Sequence, residues 1–270
     1  MRFNRTTGAG TALINVMIAA AERAGRGLVR SFGEIETLQV AKKGPADFVS
    51  EADRRAEETL FRELSKARPN YGFLMEERGA VPGEDTSNTW IVDPLDGTLN
   101  FLHGLPHFCV SVALERDGKI CAGVIYEPIS DQMFWAERGQ GAFLNGQRLR
   151  VSNRRNMAES VFATGIPFKG REGHALFLKE LENVMAAAAG VRRFGAAALD
   201  LAYLAAGRYE GFWERGLNSW DIAAGVIIVR EAGGFVSDFK GRDNALKTGE
   251  IVAANSDLHM PLRKLLSTAQ

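Results

Sequence analysis

Apolar residues recur along this chain at two periods, and the places where the period changes outline its elements. Leu13, Val16, Met17 and Ala20 fall on one helical face while Glu22, Arg23 and Arg26 continue the polar side, so the spacing predicts an amphipathic helix from about Gly10 to about Phe32. Glycines at 25, 27 and 33 loosen its end. Leu38 to Ala41 reads as a short strand. Gly44-Pro45 marks a loop, and Ser50 with Asp53 three residues on has the form of a capping box for a helix from about Glu51 to Ala67. Tyr71 to Leu74 makes a short strand ending in Met75-Glu76-Glu77-Arg78, and a polar, glycine-containing loop follows up to Asn88.

From Phe108 to Val112, Ile120 to Tyr126, Met133 to Ala136 and Ala142 to Leu144, alternation and turn residues predict an antiparallel meander, with Asp117-Gly118 as a hairpin turn. Gly139-Gln140-Gly141 imitates a dinucleotide fingerprint, but Asn145-Gly146 follows instead of a helix. After Val151 strands and helices alternate. Strands are expected at Val161 to Thr164, Val191 to Phe194, Tyr209 to Trp213, Phe235 to Ser237 and Ile251 to Ala253. Helices are expected at about Gly173 to Ala189, Ala197 to Ala206, Trp220 to Ala232 and after Asp257. The change of texture places a boundary near residue 152, between an α+β half (residues 1–151) and an α/β half (residues 152–270).

Composition narrows function more than fold. The chain has 270 residues, 46% of them hydrophobic, enough for a sizeable core. Lys plus Arg and Asp plus Glu stand at 33 each, so net charge offers no pull towards nucleic acid or acidic membranes and favours small-molecule chemistry. Cys109 and Cys121 lie in separate apolar runs and read as small buried hydrophobes. Arg2 and Arg5 ahead of Thr11 to Ala21 imitate a basic leader, but helical spacing and Asn15 within the run argue for the amphipathic helix. No later stretch is long and apolar enough to span a bilayer, and a cytoplasmic setting is expected.

The chemistry concentrates in Trp90-Ile91-Val92-Asp93-Pro94-Leu95-Asp96-Gly97-Thr98-Leu99-Asn100-Phe101. Pro94 has no N–H for a sheet ladder and fixes its own φ, so the strand should stop there, while Gly97 accepts backbone angles that other residues resist. Asp93 and Asp96, with the Leu95 carbonyl between them, make a seat for a hard cation. A helical turn over Thr98 to Phe101 would leave the Gly97 and Thr98 N–H groups free for a phosphate oxygen. A bare Asp-Pro-x-Asp-Gly, taken alone, is better read as an ordinary surface turn. Asp221, near the start of the helix at Trp220, is also what a cap looks like, and Asp53 is what a helix dipole attracts.

Longer matches separate these readings. The string from Trp90 to Phe101, then His103-Gly104-Leu105-Pro106 and Val110-Ser111-Val112-Ala113-Leu114, resembles the first signature of the inositol monophosphatase family. Trp220-Asp221-Ile222-Ala223-Ala224-Gly225, running to Glu231-Ala232-Gly233-Gly234, resembles the second. The resemblance covers nearly the whole chain and implies an α/β fold, a layered αβαβα sandwich like that of fructose bisphosphatases. It also implies a Mg2+-dependent phosphomonoesterase holding roughly two or three ions per site, with Mn2+ as a substitute, lithium sensitivity and a homodimer. Lys42, Asp47 and Asp53 fit the family's loop, in which the lysine lies near an outer metal and the last aspartate handles the attacking water. Glu76 matches the first glutamate of the family's Gly-Glu-Glu-Ser, but Met75 and Arg78 replace the glycine and serine, which leaves Glu77 as an alternative. The implied metal ligands are Glu76, Asp93, the Leu95 carbonyl, Asp96 and Asp221. Thr98, Asp53 and Glu76 are the implied catalytic residues, and Asp96, Gly97, Thr98, Gly195, Ala197, Glu214 and Asp221 the implied substrate contacts. Glu214 has a plainer reading as a partner of Arg215 or a solvated side chain.

Gathering Glu76, Asp93, Asp96 and Asp221 in one cleft demands counter-ions, since a like-charge pair at ~4 Å costs roughly 4 kcal/mol at an effective dielectric near 20. Oxygen ligands without cysteine select Mg2+ or Mn2+ over zinc, and two such ions about 3.5 to 4 Å apart clamp an in-line displacement. The expected arrangement has Glu76, Asp93 and Leu95 on one metal, whose water attacks, and Asp93, Asp96 and Asp221 on the other. Thr98, oriented by Asp53, positions that water, and the Gly97 and Thr98 amides hold the phosphate. Inositol monophosphate is the leading substrate, with histidinol phosphate and phosphoadenosine phosphate as alternatives.

Three rival chemistries fit less well. A haloacid-dehalogenase type of phosphatase is disfavoured because two residues separate the carboxylates and disrupt the alternation that would put both on one face. Glu115 and Glu127 stand where a Cys-x5-Arg loop needs arginine, and Gly104 and Pro106 interrupt any helical zinc pair of His103 and His107. From another class, some bacterial family members are associated with RNA and transcription complexes. Arg154-Arg155 and Arg192-Arg193 are nominated for such contacts, without a long basic stripe or interleaved aromatics.

Overall fold

The computed structural model describes residues 10–38, 45–167 and 170–269, and of residues 35–38 and 45–50 the backbone alone. Two helices come first, α1 (Ala12–Leu38) and α2 (Pro45–Ala67). Each buries one stripe: Ile14, Met17, Ala20, Ala21, Ala24 and Leu28 from α1, and Ala52, Ala56, Leu60 and Leu64 from α2. α2 begins well before the expected Glu51, with Pro45 as its first residue, where a missing N–H costs nothing. Asp53 is therefore an interior residue, and neither a capping box at Ser50 nor the helix dipole accounts for it. Leu38 ends α1; the rest of the expected strand to Ala41, together with Lys42 and the Asp47 side chain, lies outside the described residues.

The next strands are β1 (Tyr71–Met75), β2 (Gly79–Val81), β3 (Asp85–Asp96), β4 (Cys109–Arg116), β5 (Lys119–Glu127), β6 (Gln132–Glu137), β7 (Gly141–Leu144) and β8 (Gln147–Arg148). They form one sheet in the order β2-β1-β3-β4-β5-β6-β7-β8, parallel at β1 and β3 and antiparallel elsewhere. β2 lies inside the stretch expected as loop, because a half-exposed three-residue strand has no alternation to read. Asp117 (φ 51°) and Gly118 (φ 71°) close the β4–β5 hairpin in the left-handed conformations that the sequence implied. The Gly139-Gln140-Gly141 segment turns β6 into β7 and belongs to no helix.

A second sheet, ordered β10-β9-β11-β13-β12, comprises β9 (Val161–Thr164), β10 (Gly190–Arg192), β11 (Gly211–Arg215), β12 (Phe235–Ser237) and β13 (Glu250–Ala254). The remaining helices are α3 (Thr98–Leu102), α4 (His174–Met185), α5 (Ala197–Ala205), α6 (Ser219–Glu231), α7 (Ala245–Thr248) and α8 (His259–Ser267). Alternation along the strands divides their side chains between two cores. Phe162, Trp213 and Val252 pack with Val184 of α4 and Leu262 and Leu266 of α8, whereas Ala163, Phe212 and Ala253 face α5 and α6. In the first sheet, Val92, Val110 and Val124 face α1 and α2, and Ile91, Ala113 and Ile125 face α5 and α6. The result is five layers, α1/α2, sheet, α5/α6, sheet, α4/α8, which is the αβαβα sandwich.

The middle layer explains the composition of α6. Ile222 to Val229 are all buried because sheets cover both sides. Small residues admit the close approach: a Cβ on Gly123 of β5 would lie 2.6 Å from Ile227 Cγ2. Cys109 is buried as expected and Cys121 half-buried. Among the described residues no helix is long and apolar enough to cross a membrane.

Candidate active site

β3 runs through Pro94 to Asp96 instead of stopping at the proline. Its register with β4 pairs Asp93 with Ser111 and Asp96 with Cys109, so three steps along β3 match two along β4. The extra residue is a bulge, placed where Pro94 has no N–H to leave unpaired. Ser111 and Cys109 point to the same side of the sheet, and so do their partners. The bulge thus returns to one face two carboxylates that a regular strand would send to opposite faces, which overturns the expectation that their spacing keeps them apart. That face looks towards α5 and α6. β1, the parallel neighbour of β3, delivers Glu76 just beyond the Met75–Val92 pair.

Short hydrogen bonds fix the turn. Leu95 N–H donates to Asp93 Oδ1 at 2.9 Å, and the N–H of Ala198, in the first turn of α5, donates to Asp96 Oδ2 at 2.7 Å. Thr98 Oγ1 donates to the Leu95 carbonyl at 3.0 Å. No hydrogen bond joins Thr98 to Asp53; Asp53 Oδ1 is instead buried without a partner. Gly97 has φ 92°, and a Cβ there would come 2.9 Å from the His107 carbonyl and 3.2 Å from Ala196 Cβ. Asp221 does cap its helix, accepting Asn218 N–H at 2.7 Å. Capping does not take it away from the other carboxyls, since its charge acts on Glu76, Asp93 and Asp96.

The carboxyl groups crowd one another. Glu76, at a water-exposed rim, is close enough to Asp93 to share a hydrogen bond. Protein packed around its carboxyl, then the Asp221 charge, push it up to about 7. Burial, then Glu76, Asp96 and Asp221, hold Asp93 well above the usual carboxylate range. Burial and Asp221 push Asp96 up to about 7, and burial with Glu76, Glu77 and Glu57 pushes Asp53 up to about 8. Asp221 is raised too, by burial. Cationic relief is sparse, with Arg54 near Asp53 and Arg171 near Asp221.

Among the described residues no three acidic, imidazole or thiol groups already stand at metal-ligand spacing. A hard divalent cation nonetheless fits the donor set: the site is all oxygen, its deepest carboxylate is buried among like charges, and Asp53 Oδ1 lacks a partner.

On the far side of Asp96, Glu214 of β11 fills the space in front of Gly165, whose missing side chain it needs. Burial, then Asp200, Asp96 and Asp221, push its carboxyl up to about 8. It does not pair with Arg215, which bonds Glu180 at 2.8 Å and Glu250 at 2.5 Å. A cavity of about 330 Å³ opens beside it, walled by Ile166, Arg171, Phe177 and Trp213. Gly195 (φ 93°) and Ala197 lead into α5 next to Asp96.

Two supports were not assigned a role from the sequence, although Asn100 lies within the first signature. Asn100 donates to the His107 carbonyl at 2.8 Å and the Phe194 carbonyl at 2.9 Å, tying the turn to the Gly195 loop. Asp200 is buried with Oδ1 3.4 Å from His107 Nε2. His107 also stacks on Phe194, with ring centroids 5.2 Å apart.

The inositol monophosphatase family model matches residues 11–270. The chain belongs to that family. It is 60% identical over 256 residues to the inositol-1-monophosphatase of Mesorhizobium japonicum, covering 95% of this chain and 96% of that one. To the Nus factor SuhB of Pseudomonas aeruginosa it is 44% identical over 262 residues, 96% of each chain. The crystal structure of the extragenic suppressor protein suhB from Bartonella henselae superposes with a TM-score of 0.89 at 57% identity, covering 95% of this chain and 98% of that one. Family membership agrees with the five-layer fold and with the metal-dependent chemistry that the carboxylates suit.

Proposed function

We propose that this chain hydrolyses inositol monophosphate to inositol and phosphate in the presence of Mg2+. What supports the reading is that the carboxyls of Glu76, Asp93, Asp96 and Asp221, from three separate segments, lie close enough to act on one another's charge. Relatives named inositol-1-monophosphatase at 53% to 60% identity support the substrate. Glu76, Asp93, the Leu95 carbonyl, Asp96 and Asp221 would hold the ions, with Mn2+ as a substitute. When bound, Mg2+ activates a water and neutralises the phosphate. The chain supplies the rest. Leu95 holds the Thr98 hydroxyl in place, Thr98 and Asp53 would orient the attacking water and help move its proton, and the Gly97 and Thr98 amides would receive the phosphate oxygens. Gly195, Ala197 and Glu214 meet the alcohol. Lithium inhibition, a homodimer and a cytoplasmic setting belong to the same reading.

The test is phosphate release from inositol 1-phosphate, histidinol phosphate and phosphoadenosine phosphate, with and without Mg2+ and Li+. Inositol 1-phosphate should turn over fastest and only with Mg2+, and Asp93→Asn should lower the rate at least about 100-fold. Near-normal turnover by D93N at saturating Mg2+ would contradict the arrangement. A transcription-linked role is suggested by relatives named Nus factor SuhB, but Arg154 and Arg155 are ion-paired with Glu210 and Asp257. A salt-dependent RNA complex indifferent to D93N would favour that role.

A further inference from the structure

Glu57 is 2% exposed and forms no hydrogen bond with the side chains assigned to the reaction, although its charge acts on Asp53 and Glu76. It lies one helical turn beyond Asp53 on α2, and its carboxylate reaches the end of β1. Oε2 accepts the N–H of Glu77 at 2.9 Å and that of Arg78 at 3.4 Å, the two amides that directly follow Glu76. Oε1 faces Arg78 Nε at 3.3 Å. The Arg78 guanidinium also pairs with Glu58 and lies 4.5 Å over the Phe61 ring, which packs at 4.8 Å on Phe73 of β1. One buried acid and one arginine therefore clamp the strand end that presents Glu76 to the helix that presents Asp53. A residue with two backbone amides on a single carboxylate oxygen has little freedom, and the Glu76 side chain inherits that restriction.

We infer that Glu57 and Arg78 are positioning residues, which set the Glu76 carboxylate for metal binding by gripping the backbone behind it. The inference rests on the reading of Glu76 as a ligand. It is separable from a general charge effect, because Glu57→Gln removes a negative charge near the site whereas Arg78→Ala removes a positive one. Electrostatics alone would make the first weaken and the second strengthen cation binding. Positioning makes both weaken it.

The experiment is a thermal-shift titration of the substrate-free protein with Mg2+, on wild type, E57Q, R78A and R78K, alongside the Mg2+ dependence of phosphate release. Expected is a half-saturating Mg2+ concentration raised roughly 10-fold in E57Q and in R78A, with turnover recovering at high Mg2+ and R78K lying between R78A and wild type. Half-saturation within twofold of wild type in both variants, even with a lowered Tm, would overturn the inference, as would opposite shifts in E57Q and R78A. Should E57Q fail to fold, the partly exposed R78A decides alone. A wild-type protein with no response to Mg2+ would overturn the metal reading itself, and this inference with it.

Discussion

At the scale of single residues, Glu214 carries a signature of the site that needs no substrate to detect. Its carboxyl is pushed from an ordinary 4.5 up to about 8 by burial and by Asp200, Asp96 and Asp221. Between those values the folded chain keeps a proton that the unfolded chain has released, so stability falls as pH rises through that window. Glu214→Gln cannot ionise. In chelator-treated protein it should flatten the decline of Tm between pH 5 and pH 8 and exceed wild type most at the alkaline end; an unchanged slope would contradict the assignment. Asp93, Asp96 and Asp221 stood out as candidates because each sits in a long match whose chemistry is coherent, whereas Glu214 lay outside both matches and was implied by the resemblance alone. The contacts of Asn100, itself a letter of the first signature, and of Asp200 were not legible, since a polar residue within an apolar run does not say which distant carbonyl or ring it will meet.

At the scale of elements, close packing decides what a substitution does. Gly225 lies inside α6, where alanine normally favours the helix by about 0.5 to 1 kcal/mol. Here a Cβ would stand 2.5 Å from Leu201 Cδ1 and 2.6 Å from Leu201 Cβ on α5. Gly225→Ala is therefore expected to destabilise the protein by about 1 to 3 kcal/mol in urea unfolding, and a gain in stability would contradict the layer geometry. Periodicity revealed the meander and the later strands and helices, with ends that differ by up to four residues, as at β4 and α4. It missed β2, β8 and α7, which are too short to show a period, and it missed the bulge in β3, which is a property of pairing with β4.

At the scale of the whole molecule, the two sheets share one core. Ile91, Cys109 and Ala113 of the first sheet pack with α5 and α6, whose other side meets Phe212 and Ala253 of the second. The strands divide on either side of residue 152, but the hydrophobic burial does not. Residues 1–151 expressed alone would expose the face that carries Asp93 and Asp96, and should show no sharp thermal transition; a cooperative one would mean that the half folds by itself. The proposed site depends on the same joint, since the Asp221 charge acts on Asp93 only because α6 lies against the first sheet. Mn2+ binding to wild type, Asp93→Asn and Asp221→Asn, measured by equilibrium dialysis without substrate, tests that convergence most directly. Both variants should bind at least about tenfold more weakly than wild type, the loss that even an outer partner of a ligand produces. Wild-type affinity in D221N would mean that Asp221 caps α6 and does nothing more.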